Sequence, residues 1–399
     1  METFDRIGVS LVIGRREGYR FWDVDGRELL DLHLNGGTFN LGHRHPRLVK
    51  ALIDGVQQWD VGNHHFPSEP RSLLAEDLAA LSPSGALGRV VFTPSGTEAI
   101  DVAIRSARWA TGRRRILSYD CAFHGRAGLG AAAGDDKTAT LFHSTDPDFT
   151  KIPFDDLQAL ESELEKGDVA ALLCEVIPAT AGFRMPDTPD YHRRAKELCE
   201  RHGALFIADE VQTGLGRTGT LWAVDGFGVV PDVLVTGKGL SGGLYPIAAV
   251  LLDETASGWM EVDGWAYIST FGGSELGCVV AREVLTMCTS SETQENVRRV
   301  ADLYHRGLAE LAERHRTVAE IRQRGLVIAI RLHHPWGGPV LARHLFANGV
   351  WAMFCGFEPS SIQWKPGLLV DDRFVDESLE RLDKALQQAA GELESDQAP

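Results

Sequence analysis

The most constraining feature of the chain is a series of short, almost wholly apolar runs, each followed by a polar residue and separated from the next by helical sequence. These runs span 90–92, 115–119, 169–174, 205–208 and 233–236. A strand that is apolar on both sides needs cover on both sides, which is the condition of a parallel sheet held between two layers of helices. Helices are expected over 73–81, 97–110 and 191–202. Residues 18–32 read as a hairpin that turns at Asp25-Gly26. Beyond about residue 290 the texture changes to long charged helices, 295–314 and 377–393, around strands near 326–332 and 362–370. The chain is therefore expected to be α/β: a large, mostly parallel sheet covered by helices, plus a smaller α+β domain assembled from both chain ends. The boundaries expected are an N-terminal segment 1–45 belonging to the small domain, a large domain 46–288, and a C-terminal small domain 289–399.

Composition narrows the partners. The 399 residues carry a formal net charge of −16, which disfavours a nucleic-acid groove or an anionic membrane as the main partner. Charged residues at 24% and hydrophobic residues at 44% exclude a wholly disordered chain. No run reaches the roughly 18 uncharged apolar residues that span a bilayer. The N-terminus, METFDRIGVSLVIG, reads as folded sequence and not as a signal peptide. Its six cysteines show no C-x-x-C and no close pairing, so reduced thiols and a cytoplasmic location are expected. The tail ELESDQAP reads as a frayed end.

In open α/β sheets the ligand lies beyond the carboxyl ends of the strands. Five such ends deliver Ser95-Gly96-Thr97, Phe123-His124-Gly125, Glu175, Asp209 and Lys238. Ser95-Gly96-Thr97 opens a helix, so free backbone N–H groups face whatever precedes it; this suits a phosphate, and equally an ordinary N-cap. Asp209 suits a metal, a proton or a cationic ring. A desolvated Lys238 has a depressed pKa and attacks carbonyls to form a Schiff base. For each charged residue alone, a solvated strand end explains as much; the convergence of five favours a site.

Several motifs mislead. Gly214 to Gly219 matches G-x-G-x-x-G, but it starts late after its strand and is followed by GTLWAVDGFGVVPD, unsuited to a dinucleotide-binding helix. Gly237-Lys238-Gly239 lacks the upstream Gly and the Ser/Thr of a phosphate loop. The histidines of GHRHP (42–46), NHHF (63–66) and His333-His334 lack metal-ligand spacing, so structural or pocket-lining roles are expected and no metal.

The chain resembles the class III (ω-type) aminotransferases, pyridoxal 5′-phosphate enzymes of fold type I. The resemblance rests on Gly42-His43-Arg44-His45-Pro46, Ser95-Gly96-Thr97-Glu98-Ala99, Phe123-His124-Gly125-Arg126, Asp209 to Gly214 with Gly216-Arg217-Thr218-Gly219, Gly237-Lys238-Gly239 and Thr270-Phe271-Gly272-Gly273. These occur in family order over most of residues 20–290; the last third matches loosely. The resemblance implies a sheet of the seven-stranded type and a homodimer with its active site at the interface.

It further implies that Lys238 holds the cofactor as a Schiff base and moves a proton, and that Asp209 keeps the ring nitrogen protonated. Phe123 would stack on the ring, Gln212 contact the ring hydroxyl, and Ser95, Gly96 and Thr97 cup the phosphate. His124 and Glu175 join the cofactor-binding set, and Thr270 reaches the phosphate from the neighbouring subunit. The family's Glu/Arg pair for substrate carboxylates is absent, its positions being Thr180 and Gln363. Arg184 and Lys365 are the nearby cations; with Trp22, Gly36 and Gln363 they form the candidate substrate set.

The expected function is transfer of an amino group from an amine or amino acid to a ketone or aldehyde. Two alternatives stand beside it: another reaction of the same cofactor (racemisation, amino migration, elimination, carbon–carbon bond formation), and a non-catalytic binding protein.

Overall fold

A computed structural model describes residues 8–62 and 65–394. The start of the N-terminal reading (1–7), the first two residues of the 63–66 histidine group and the tail beyond 394 lie outside the described residues.

The central sheet has seven strands: β4 (Arg89–Thr93), β5 (Arg115–Tyr119), β6 (Phe149–Ile152), β7 (Val169–Glu175), β8 (Leu205–Asp209), β9 (Val233–Thr236) and β10 (Ala248–Leu252), in the spatial order β4-β10-β9-β8-β7-β5-β6. All pairings are parallel except those of β10, which runs antiparallel to both neighbours. The two-sided cover is visible residue by residue. Ile207, Val233 and Val235 pack toward one core that includes Ile100, Ala103 and Ile104 of the helix α3 (Gly96–Thr111). Phe206, Ala208 and Leu234 pack into the opposite core. Alternate residues of one strand thus enter different cores, which is why the runs show no polar alternation.

The hairpin at Asp25-Gly26 is present. β1 (Ile13–Glu17), β2 (Arg20–Asp23) and β3 (Glu28–Asp31) form a second sheet, and the two-residue β13 (Val350–Trp351) joins it parallel to β3, with Val350 opposite Leu30. A third, antiparallel sheet has the order β11-β12-β15-β14: β11 (Val318–Arg324), β12 (Val327–Leu332), β14 (Met353–Phe354) and β15 (Ser361–Trp364). The strand expected over 362–370 stops at Trp364, because Pro366 has no N–H to pair. The chain beyond is tied instead by Asn296, whose Nδ2 donates to the carbonyls of Leu368 and Val370 at 2.8 and 3.1 Å.

Helices cover these sheets, among them α1 (Pro46–Val56), α2 (Glu69–Ala80), α4 (Tyr191–Arg201), α5 (Glu275–Thr289), α6 (Ser291–Arg314), α7 (Gly337–Ala347) and α8 (Asp372–Glu394). The Tyr304 hydroxyl of α6 meets that of Ser378 in α8 at 2.8 Å. Among the described residues, no helix is long and apolar enough to cross a membrane.

Candidate active site

Strands β9, β8, β7 and β5 are consecutive neighbours, so Lys238, Asp209, Glu175 and the Phe123-His124 turn stand in order along one edge of the sheet. Across β10, β4 presents the start of α3. Together they enclose a cavity of about 310 Å³ lined by Gly96, Thr97, Phe123, Asp209, Gln212 and Lys238, with His124, Gly125 and Glu175 also on its wall.

At one end of the cavity, Ser95 is extended and its hydroxyl accepts the Glu98 N–H at 3.3 Å, so Ser95 acts as the N-cap of α3. Ser95 itself is not on the cavity wall. Gly96 and Thr97 follow it as the first turn, leaving their N–H groups outside the helix ladder. Gly125, at φ +102°, lies against Thr97: a Cβ there would come 2.4 Å from Thr97 Oγ1. Only glycine lets the two walls of this concavity meet so closely.

At the other end, Asp209 is 5% exposed and both its oxygens are engaged. Oδ2 faces His124 Nδ1 at 2.8 Å, and Oδ1 accepts the Val211 N–H at 3.0 Å. The second nitrogen of His124 is buried without a partner. Glu175 is paired in register with Asp209 and accepts the N–H groups of Phe123 and Ala179, each at 3.0 Å. Burial, and then the Asp209 charge beside it, raise the Glu175 carboxyl to about 7. Glu175 thus organises the Phe123 turn from behind.

Lys238 sits at φ +39°, an uncommon backbone conformation for a residue with a side chain. Burial lowers its ammonium below the ordinary lysine range, while the Asp209 and Glu175 charges oppose that shift. A Cβ on Gly36 would stand 2.9 Å from Lys238 Cε and 3.4 Å from Gln212 Oε1, so Gly36 closes over both. Gly36 belongs to a run, Leu34 to Gly37, in which all four residues have positive φ.

The remaining sequence candidates are placed differently. Gln363 is 5% exposed and bonded to Lys365, which is 1% exposed and stands behind Gln212. Arg184 is exposed, with its guanidinium 5.6 Å from the Phe154 ring centre. Trp22 lies under the Arg15 guanidinium at 3.9 Å. Neither residue lines the cavity. Thr270 is exposed, near the exposed Trp265, Ile268 and Phe271, and also lies off this cavity. Trp351 lines a second, larger hollow of about 660 Å³ with His33, Asn35 and Phe39.

Three of the participants that escaped the sequence reading lie inside quoted motifs. Val211 and Arg126 are on the cavity wall, and each was signalled only by its place inside a quoted motif. The third is Arg217, inside the G-x-G-x-x-G match. It is completely buried and donates to the carbonyls of Leu326 and Pro366 at 3.2 and 3.0 Å and to Asn40 Oδ1. That loop is a structural clamp, not a dinucleotide cradle. Of the histidines, His43 pairs with Asp31 at 2.8 Å, and the half-buried His45 caps α1 through Nδ1.

A half-buried lysine and a buried carboxylate at adjacent strand ends, sharing one cavity with a glycine-lined helix terminus, define a fold type I pyridoxal-phosphate enzyme. Solved structures share the fold: the ornithine aminotransferase of Toxoplasma gondii superposes with a TM-score of 0.88 at 29% identity, over 96% of this chain and 91% of that one. N-acetylornithine aminotransferase of Stenotrophomonas maltophilia gives 0.82 at 32% identity, over 96% and 97%. The profile of the family "Aminotransferase class-III" matches residues 5–386. An "uncharacterized aminotransferase" of Archaeoglobus fulgidus is 44% identical over 97% of this chain and 91% of its own length. The acetylornithine aminotransferase of Xylella fastidiosa is 36% identical over 94% and 92%. The chain belongs to the class III aminotransferases and is a pyridoxal-phosphate-dependent enzyme of transamination.

The residues present fit that cofactor on their own chemistry. The first-turn N–H groups of Gly96 and Thr97, on the cavity wall at the start of α3, suit an anion. The flat Phe123 ring, the Asp209 carboxylate and the Lys238 amine lie on the same cavity.

Proposed function

We propose that Lys238 is the residue that binds the cofactor covalently and carries the proton, and that the enzyme moves an amino group from an amine or amino-acid donor to a ketone or aldehyde. The observation that carries this reading is the convergence of Lys238, Asp209, Phe123 and the start of α3 on one cavity. When bound, pyridoxal phosphate supplies an aldehyde to hold the amine and a ring that withdraws electrons from the adjacent carbon.

The chain's own residues supply the rest. Asp209 would hold a proton on the ring nitrogen, and its hydrogen bonds to His124 and the Val211 N–H keep the carboxylate aimed. Phe123 would pack on the ring face, and Gln212 would donate to the ring oxygen. Gly96 and Thr97 would bind the phosphate through N–H groups and hydroxyl, with Ser95 holding the helix start that aims them. Glu175 fixes the turn bearing Phe123. Lys238, with its ammonium destabilised by burial, is ready to give up and take back a proton at the substrate carbon.

Thr270 is assigned to the phosphate of a neighbouring subunit. This fits its exposure beside exposed apolar residues and makes a homodimer the working unit; the free cysteines suit the cytoplasm. Residues 46–288 are read as the cofactor domain, with 1–45 and 289–399 as the smaller one. For the substrate, Gly36 and Gln363 are favoured, since Gly36 adjoins Lys238 and Gln363 adjoins the Lys365–Gln212 contact. Trp22 and Arg184 lack any contact of that kind. The relatives' names suggest an ornithine-like donor, but Thr180 and Gln363 bring no charge to where the family pair would hold a carboxylate.

The test is spectroscopic. Wild-type protein loaded with pyridoxal phosphate should be yellow, an amine donor should bleach the visible band, and a carbonyl acceptor should restore it. Lys238→Ala should lose the band or hold the cofactor only noncovalently. An unchanged band in that variant would refute the assignment.

A further inference from the structure

Lys365 is a buried charge that the cofactor contacts leave unexplained. Its backbone N–H is bonded to the Leu32 carbonyl at 2.7 Å, which anchors the residue just beyond β15. Its Nζ donates to Gln363 Oε1 at 2.5 Å and reaches Gln212 Oε1 at 3.5 Å, with the Phe183 ring centre 5.6 Å away. Among the described residues, no carboxylate lies within ion-pair distance of it.

The groups facing it come from several elements. Burial lowers the ammonium to about 7, and Arg217 and Lys238 push in the same direction; Cys355 and Asp31 oppose them. Asp31 is already committed to His43 and to two backbone N–H groups, and burial pushes the Cys355 thiol up to about 12. His33 is held well below the ordinary histidine range by burial, Lys365 and Lys238, so it adds no positive charge at neutral pH. An uncompensated buried ammonium is costly, so the charge is held only below about pH 7; while it is held, its hydrogen bonds have a definite direction.

That direction bears on Gln212. An amide has one oxygen that only accepts and one nitrogen that only donates, whereas an ammonium only donates. Lys365 therefore requires the Gln212 oxygen to face it. The opposite amide orientation would set N–H against N–H. With its oxygen engaged, Gln212 has its N–H groups left for the cavity it lines together with Lys238.

We propose that Lys365 is a positioning residue: it holds the Gln212 amide so that its N–H faces the ring-oxygen side of the cofactor, and its charge lowers the pH at which the chromophore at Lys238 loses its proton. The inference rests on the roles given above to Lys238 and Gln212. It also accounts for Gln363, whose oxygen is used on Lys365.

The experiment is a pH titration of the visible absorption of cofactor-loaded wild type, Lys365→Met and Lys365→Gln, together with the rate of cofactor loss on dilution. Removing the positive charge should raise the titration midpoint by about one pH unit in both variants, the scale of a nearby buried charge. Lys365→Met should also lose cofactor several-fold faster. Lys365→Gln, which keeps a donor for Gln212, should retain cofactor close to wild type. In a Gln212→Leu background, Lys365→Met should add nothing to the loss rate.

Thermal unfolding checks that each variant is folded, and Lys365→Gln carries the titration arm if Lys365→Met does not fold. Midpoints within about 0.2 unit of wild type in the folded variants would overturn the proposal at this precision of shift. A shifted midpoint with equal cofactor retention in Lys365→Met would overturn the positioning role. Wild-type protein without a visible band would overturn the functional reading itself, and this proposal with it.

Discussion

Asp209 and Glu210 are consecutive carboxylates with opposite tasks. Asp209 turns to the cavity, whereas Glu210 is 1% exposed and accepts from the Thr213 hydroxyl and from the Val224 N–H at 2.8 Å. Burial raises the Glu210 carboxyl to about 7, above its value in an unfolded chain. A raised acid is penalised only when ionised, so its cost is absent below the unfolded pKa, grows as pH climbs toward 7, and is complete above it. Glu210→Gln should therefore gain stability relative to wild type between pH 5 and pH 8, by up to about 3 kcal/mol whatever the fixed cost of the altered hydrogen bonds. Urea unfolding of both proteins at the two pH values measures this, and a difference independent of pH would refute it. The residues at strand ends were legible in the sequence because each follows an apolar run. The task of Glu210 was not legible, because nothing local distinguishes a buried carboxylate from an aimed one.

The fit between elements is narrowest where the turn after β5 meets the start of α3. Gly125→Ala would impose a side chain at φ +102° and drive its Cβ into Thr97 Oγ1. It should weaken cofactor binding at least about tenfold, or roughly 1.4 kcal/mol, while leaving the far ends of the sheet intact. Equilibrium titration with pyridoxal phosphate checks this, and unchanged affinity would show that the concavity is not the phosphate site. Sequence patterning identified five of the eight helices named above, missing α1, α5 and α7, and five of the seven central strands. It missed β6, whose sequence Phe149-Thr150-Lys151-Ile152 mixes polar and apolar residues. It also missed β10, although that strand is as apolar as its neighbours. The antiparallel direction of β10 is a property of pairing, which composition does not carry.

At the scale of the whole molecule, Arg217 joins three distant stretches of chain: Asn40 near the start, the clamp loop after β8, and Leu326 with Pro366 near the end. Arg217→Met should cost about 3–5 kcal/mol, because it leaves buried acceptors without donors. Denaturant unfolding should show the loss, and a loss below about 1 kcal/mol would mean that these contacts are replaceable. The Gly214–Gly219 motif contains this residue, but a glycine-rich pattern looks the same whether it cradles a ligand or turns around a strut. Parallel pairing of β3 with β13 has a consequence for the order of assembly. Gly36, which closes over Lys238, follows directly from a strand whose partner is Val350–Trp351. A ribosome will have made Lys238 long before it makes that partner. The amine thus spends much of synthesis without its finished enclosure, and the selective pocket matures only when late sequence docks beside early sequence, a high-contact-order step that is slow by nature.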